Sequence, residues 1–74
     1  MSQRDKDTLT FVIWLINQVA RAWGKTTPEV YRTLQRADIV NDYILPFYEQ
    51  LHTMGSQALV DDITILARKR GLAV

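Results

Sequence analysis

The sequence predicts an all-α domain, a compact bundle of four short helices joined by short loops. Three observations predict it. The chain is 74 residues long, which is room for one domain and excludes a barrel, a doubly wound sheet or a two-domain enzyme. Its apolar residues recur every three or four positions, and no stretch alternates with the period of a strand. Its three glycines stand singly, each where a helix would end. Apolar content of 47% with 23% charged residues is the balance of a folded domain rather than a disordered tail.

The first helix is expected over residues 7–23, with 1–6 frayed, Asp5 and Asp7 near its start and Gly24 as its stop. Leu9, Val12, Ile13, Ile16, Val19, Ala20 and Trp23 make one apolar stripe, and Phe11, Trp14, Leu15 and Ala22 make a second on roughly the opposite side. A helix apolar nearly all round is buried on two sides or carries an interface. Thr27 as cap, Pro28 at the first helical position and Glu29 at the positive end of the dipole mark a short second helix ending near Ala37. Asn41 and Asp42 then open a turn over residues 41–45, and a third helix starts or kinks at Pro46 and runs to about Thr53, where Gly55 closes it. Ser56 caps a fourth helix running to Arg70, with Leu59, Val60, Ile63, Leu66 and Ala67 as its stripe. There is no internal repeat or linker, so residues 1–74 read as a single domain.

A domain of this size is short of core and normally needs a disulfide, a metal or a partner. The absence of cysteine excludes a disulfide, and a single histidine cannot supply a structural zinc site. An unusually apolar core or self-association remains. The longest apolar run, residues 11–16, is far below the roughly 20 residues of a membrane span, and no signal peptide is recognisable. The expectation is a soluble, cytoplasmic protein with no membrane contact.

The net charge of +1 hides an asymmetry. Residues 1–37 carry +3 and residues 38–74 carry −2, with no lysine or arginine between Asp38 and Asp62. Asp42, Asp61 and Asp62 suit helix N-terminal turns, which accounts for part of this. The alternative is an acidic face that meets a basic partner or the basic half of a second copy. Catalysis is poorly provided for. Ser2 lies in the expected frayed end, Ser56 sits where a cap belongs, and His52 is alone. Asp61 and Asp62 are neighbours on a helix, pointing about 100° apart. No glycine-rich phosphate loop is present. No enzyme, cofactor or metal is therefore expected. Arg21, Lys25, Arg32 and Arg36 form a candidate anion-binding set, but the chain is not basic enough for a dedicated nucleic-acid binder. Tyr43, Tyr48, His52 and Thr53 place polar tips in one segment, with Tyr48 and His52 adjacent on one helix face. Phe11, Trp14 and Leu15 have no obvious place in a core already filled by the first stripe, and are the candidate association surface.

Asp42-Tyr43-Ile44 and Tyr48-Glu49-Gln50-Leu51-His52-Thr53-Met54-Gly55 resemble the signature of a family of short bacterial proteins called domain of unknown function 3791. Glu29-Val30-Tyr31 and Val60-Asp61-Asp62-Ile63 match its second and last helices, and the resemblance covers about residues 10–68. The family often carries a glutamate in mid-helix one where this chain has Asn17. The resemblance implies no established activity. It implies a small accessory or neutralising protein, antitoxin-like, acting on an ADP-ribosyltransferase-like partner. The reading is a protein-interaction module, a homo-oligomer, with Phe11, Trp14 and Leu15 for association and Tyr43, Tyr48, His52, Thr53 and Gly55 as the signature face. The alternatives are an oligomeric binder of a small anionic ligand such as a nucleotide, and a small DNA-binding domain.

Overall fold

The computed structural model describes residues 2–74, and these form an all-helical fold. The helical elements number five rather than the expected four: α1 (Gln3–Trp23), α2 (Thr27–Arg36), a π-helical turn (Val40–Ile44), α3 (Tyr48–Leu51) and α4 (Ser56–Lys69).

α1 begins four residues earlier than expected. The Ser2 hydroxyl accepts from the Asp5 amide at 3.2 Å, and the Asp5 carboxylate accepts from the Ser2 amide at 3.4 Å. This reciprocal cap satisfies two amides that a helix start leaves unpaired. Residues 3–6 are thus the first turn of α1 rather than a frayed end, while Met1 lies outside the described residues. At the other end Gly24, at φ 67°, takes the left-handed conformation that ends the helix. α2 is capped by Thr26 rather than Thr27, through a bond from the Glu29 amide to the Thr26 hydroxyl. Thr27 is thereby free to donate to the Asn17 side chain at 2.7 Å, tying the start of α2 to α1.

The turn expected over residues 41–45 is a π-helical turn over Val40–Ile44, and the third helix expected from Pro46 to about Thr53 is the shorter α3, Tyr48–Leu51. The chain leaves α2 through Asp38 at φ 58°, a left-handed conformation that Asp tolerates better than most residues. It then enters a wide turn closed by the Leu45 amide on the Val40 carbonyl at 3.0 Å, and Val40 and Ile44, four apart, are both buried. Pro46 has no amide to donate and lies in the turn at 45–47; α3 starts after it, at Tyr48. α4 is capped by Gly55, with Ser56 as its first residue, and ends at Lys69. The Arg70 guanidinium beyond it donates to the Ala37 carbonyl and pairs with Asp42 at 3.4 Å. It therefore fastens the ends of α2 and α4 to the π-turn.

α1 is the central helix, packed against α2 on one side and α4 on another. Its buried arc is Val12, Leu15, Ile16, Val19 and Ala20. The two expected stripes therefore exchange members. Leu15 is fully buried, whereas Ile13 is 52% exposed and Leu9 50%. Leu34, Ile39, Ile44, Leu59 and Ile63 complete the centre of the core. The half-buried Trp23 indole donates to the Thr64 hydroxyl at 2.9 Å, linking α1 to α4. No buried side-chain nitrogen or oxygen among the described residues lacks a partner. Among the described residues no helix is long and apolar enough to cross a membrane.

Candidate functional site

Members of two candidate sets meet on the surface, Phe11 and Trp14 from one and Tyr48 and His52 from the other, although Trp14 and Tyr48 are 34 positions apart. Phe11 packs against Trp14 with ring centroids 5.9 Å apart, and against Tyr48 at 5.4 Å in an edge-to-face arrangement. Tyr48 stacks on His52 at 4.8 Å with the rings 17° from parallel. α1 supplies the first two rings, three residues apart on one face, and α3 with its C-cap supplies the second two, four apart. The exposed ion pair of Arg4 with Glu49, at 3.3 Å, holds the same two helices together. The result is a ladder of Trp14, Phe11, Tyr48 and His52. Its inner two rings are half-buried and its outer two exposed. These spacings are those of favourable aromatic pairs.

His52 is also fixed by its own backbone, its Nδ1 lying 2.9 Å from the Tyr48 carbonyl. A carbonyl only accepts, so this contact places a proton on Nδ1, and in the neutral tautomer Nε2 is then the acceptor.

The other candidate residues lie elsewhere. Leu15 belongs to the core and not to the association surface, because the buried arc of α1 is centred between the two predicted stripes. Tyr43 is separated from Tyr48 and His52. It lines a shallow groove of about 210 Å³ with Asp62, Ile65, Leu66 and Lys69. Burial, and secondarily the negative charge of Asp62, push its hydroxyl above the ordinary tyrosine range. Thr53 donates to the Gln50 carbonyl at 2.8 Å, and Gly55 is the cap of α4, so both serve the α3–α4 turn. Around Gly55 an added Cβ would meet nothing within 4 Å, so no close approach requires glycine there.

The basic set is divided. Lys25 and Arg36 line one cleft of about 290 Å³ together with Arg70, whereas Arg21 lines another with Gln18 and Gln57, and Arg32 lines neither. Arg70 was legible only as a helix-terminal cation, since its approach to α2 depends on the packing of α4. Within the acidic stretch, Asp42 and Glu49 are each paired with an arginine, and Asp61 accepts from Gln57 at 2.9 Å. Among the described residues no group of three or more His, Cys, Asp or Glu side chains could hold a metal ion. A larger groove, about 350 Å³, opens where Leu9, Val12, Tyr31, Val40 and Leu45 meet. Its one sequence signal was Leu45, an apolar residue in an expected turn.

These features define a small all-α domain whose most organised surface is aromatic rather than ionic. The family described as "Protein of unknown function (DUF3791)" matches residues 10–70, and the chain belongs to it. No curated protein and no solved structure matches the chain.

Proposed function

We propose that the chain is a non-enzymatic protein-interaction module that works through the aromatic ladder. The observation carrying this reading is the continuity of four rings across two helices that an ion pair joins. Rigid aromatic side chains lose little entropy on contact, and they are the residues most enriched at the centres of interfaces. Trp14, 39% exposed, is the anchor. The specific form proposed is a cytoplasmic bacterial antitoxin-like partner of an ADP-ribosyltransferase-like toxin, with self-association through the same surface. Co-expression tests it. Cells carrying such a toxin should grow when the wild-type chain is present and should stop growing with Trp14→Glu, whose helical circular dichroism stays unchanged. A wild-type chain that neither protects nor co-purifies with the toxin removes this reading.

The cleft shared by Lys25, Arg36 and Arg70 supports a second reading, a site for a small anion. Against it, Arg36 and Arg70 stand at helix C-termini, where cations are favoured without any ligand. Titration with inorganic phosphate at low and high salt separates the two, since an anion site loses affinity steeply as salt rises.

A further inference from the structure

We propose, resting on the protein-interaction reading above, that the ladder of Trp14, Phe11, Tyr48 and His52 recognises an arginine side chain of the partner protein. Three features of the surface converge on a planar cation that only donates hydrogen bonds. The first is the run of aromatic rings, the outer two on exposed residues, whose quadrupoles attract a guanidinium, with tryptophan the strongest. The second is the tautomer of His52. Its Nδ1 is committed to the Tyr48 carbonyl, so in the neutral tautomer the ring offers Nε2 as an acceptor and no free donor. The third is charge. Asp7 stands one turn before Phe11 and two before Trp14 on the same face of α1, and its contact with Gln3 at 2.8 Å leaves its carboxylate with acceptor capacity.

Among the described residues no cation is paired with the ladder rings. Arg4 is held by Glu49. Arg21 forms no ion pair among the described residues, but it stands two turns beyond Trp14, about 10 Å along the axis. No lysine or arginine occurs between Asp38 and Arg68, so α3 brings none. Arginine suits such a strip better than lysine because its flat, weakly hydrated head stacks on rings while its edge donates to the flanking acceptors.

The test uses the full chain and three blocked pentapeptides, Ala-Arg-Ala-Arg-Ala and its citrulline and norleucine counterparts. Binding is followed by amide and indole NMR shifts. Citrulline keeps the shape of arginine and removes the charge; norleucine keeps only the apolar stem. The expected result is a saturable shift confined to the ladder, with the arginine peptide binding about two- to fivefold more tightly than the citrulline one. That advantage should disappear in Trp14→Leu, which stays apolar. Equal affinities for the three peptides, or shifts centred elsewhere, overturn the inference. The toxin co-expression assay distinguishes the two failures. If Trp14→Leu protects as well as wild type and Trp14→Glu does not, the face is an interface of the plain apolar kind, and only the arginine inference falls. If neither variant differs from wild type, the ladder is no interface and both readings fall.

Discussion

Asp38 is the one described non-glycine residue in the left-handed backbone region, and it sits at the only exit from α2. That conformation costs an L-residue about 1–2 kcal/mol, least for Asp and Asn, whose side chains bond locally. A β-branched residue tolerates it worst. Asp38→Val is therefore expected to lower stability by about 1–2 kcal/mol in urea melts, while Asp38→Gly stays within about 1 kcal/mol of wild type. Tyr43 makes a second prediction. Its folded-state pKa lies above the unfolded value, so the unfolded chain releases its proton first as pH rises. Stability attached to the neutral hydroxyl is intact below about pH 10 and falls as pH climbs through the folded value. Melts from pH 8 upward should show this decline in the wild type and less of it in Tyr43→Phe. At this scale the sequence was partly legible. Trp14, Tyr48 and His52 were visible as unusual side chains, but their contact through Phe11 depends on how α1 meets α3. Leu15 and Ile13 exchanged roles because a helix apolar on two arcs gives periodicity no way to choose its buried centre.

Punctuation located most elements well, since caps act within one turn of sequence. Thr26, Gly24 and Gly55 ended or began helices within a residue of expectation. The early start of α1 was missed because Asp at the third helical position played the part usually given to Glu. A turn is expected at 41–45 from Asn41 and Asp42, but nothing in the sequence marks it as π-helical. It arises where Val40 and Ile44 must both enter the core beside a proline, a tertiary demand rather than a local preference. Between elements, the Trp23–Thr64 bond is the described side-chain hydrogen bond joining α1 to α4. Trp23→Phe and Thr64→Val should each cost about 1 kcal/mol through that bond. In combination they should cost measurably less than the sum, as a double-mutant cycle read by thermal unfolding would show.

The whole molecule has the outside of a self-sufficient fold. Its accessible surface is 4694 Å², and a monomeric protein of this mass is expected to expose about 4700 Å². The chain thus exposes no more total surface than a monomer of its mass, and loss of association need not mean loss of fold. Light scattering on the wild type, at two concentrations and in low and high salt, should give a mass above one chain that salt does not change. Trp14→Glu should give one chain with its melting temperature nearly kept. Leu15→Ala is expected to behave in the opposite way, losing about 2–5 kcal/mol to a core cavity, a large share of what a domain this small possesses. The all-helical class was legible in the sequence because it follows from composition and period. The aromatic ladder was not, since an exposed aromatic ring and a core ring look alike until the helices are packed.

The turn at Val40–Ile44 holds one residue more than an α-helical turn closing between the same two ends. Its bond from Leu45 back to Val40 spans five positions instead of four. Removing the exposed Asn41 converts it to an ordinary α-turn and leaves both flanks in place. In α1, by contrast, a one-residue deletion rotates everything after it by about 100° and empties the core face. The chain can thus be shortened at Asn41 and keep a cooperative unfolding transition, whereas removal of Thr10 should abolish it. Tolerance of a changed length is concentrated in a single helical turn.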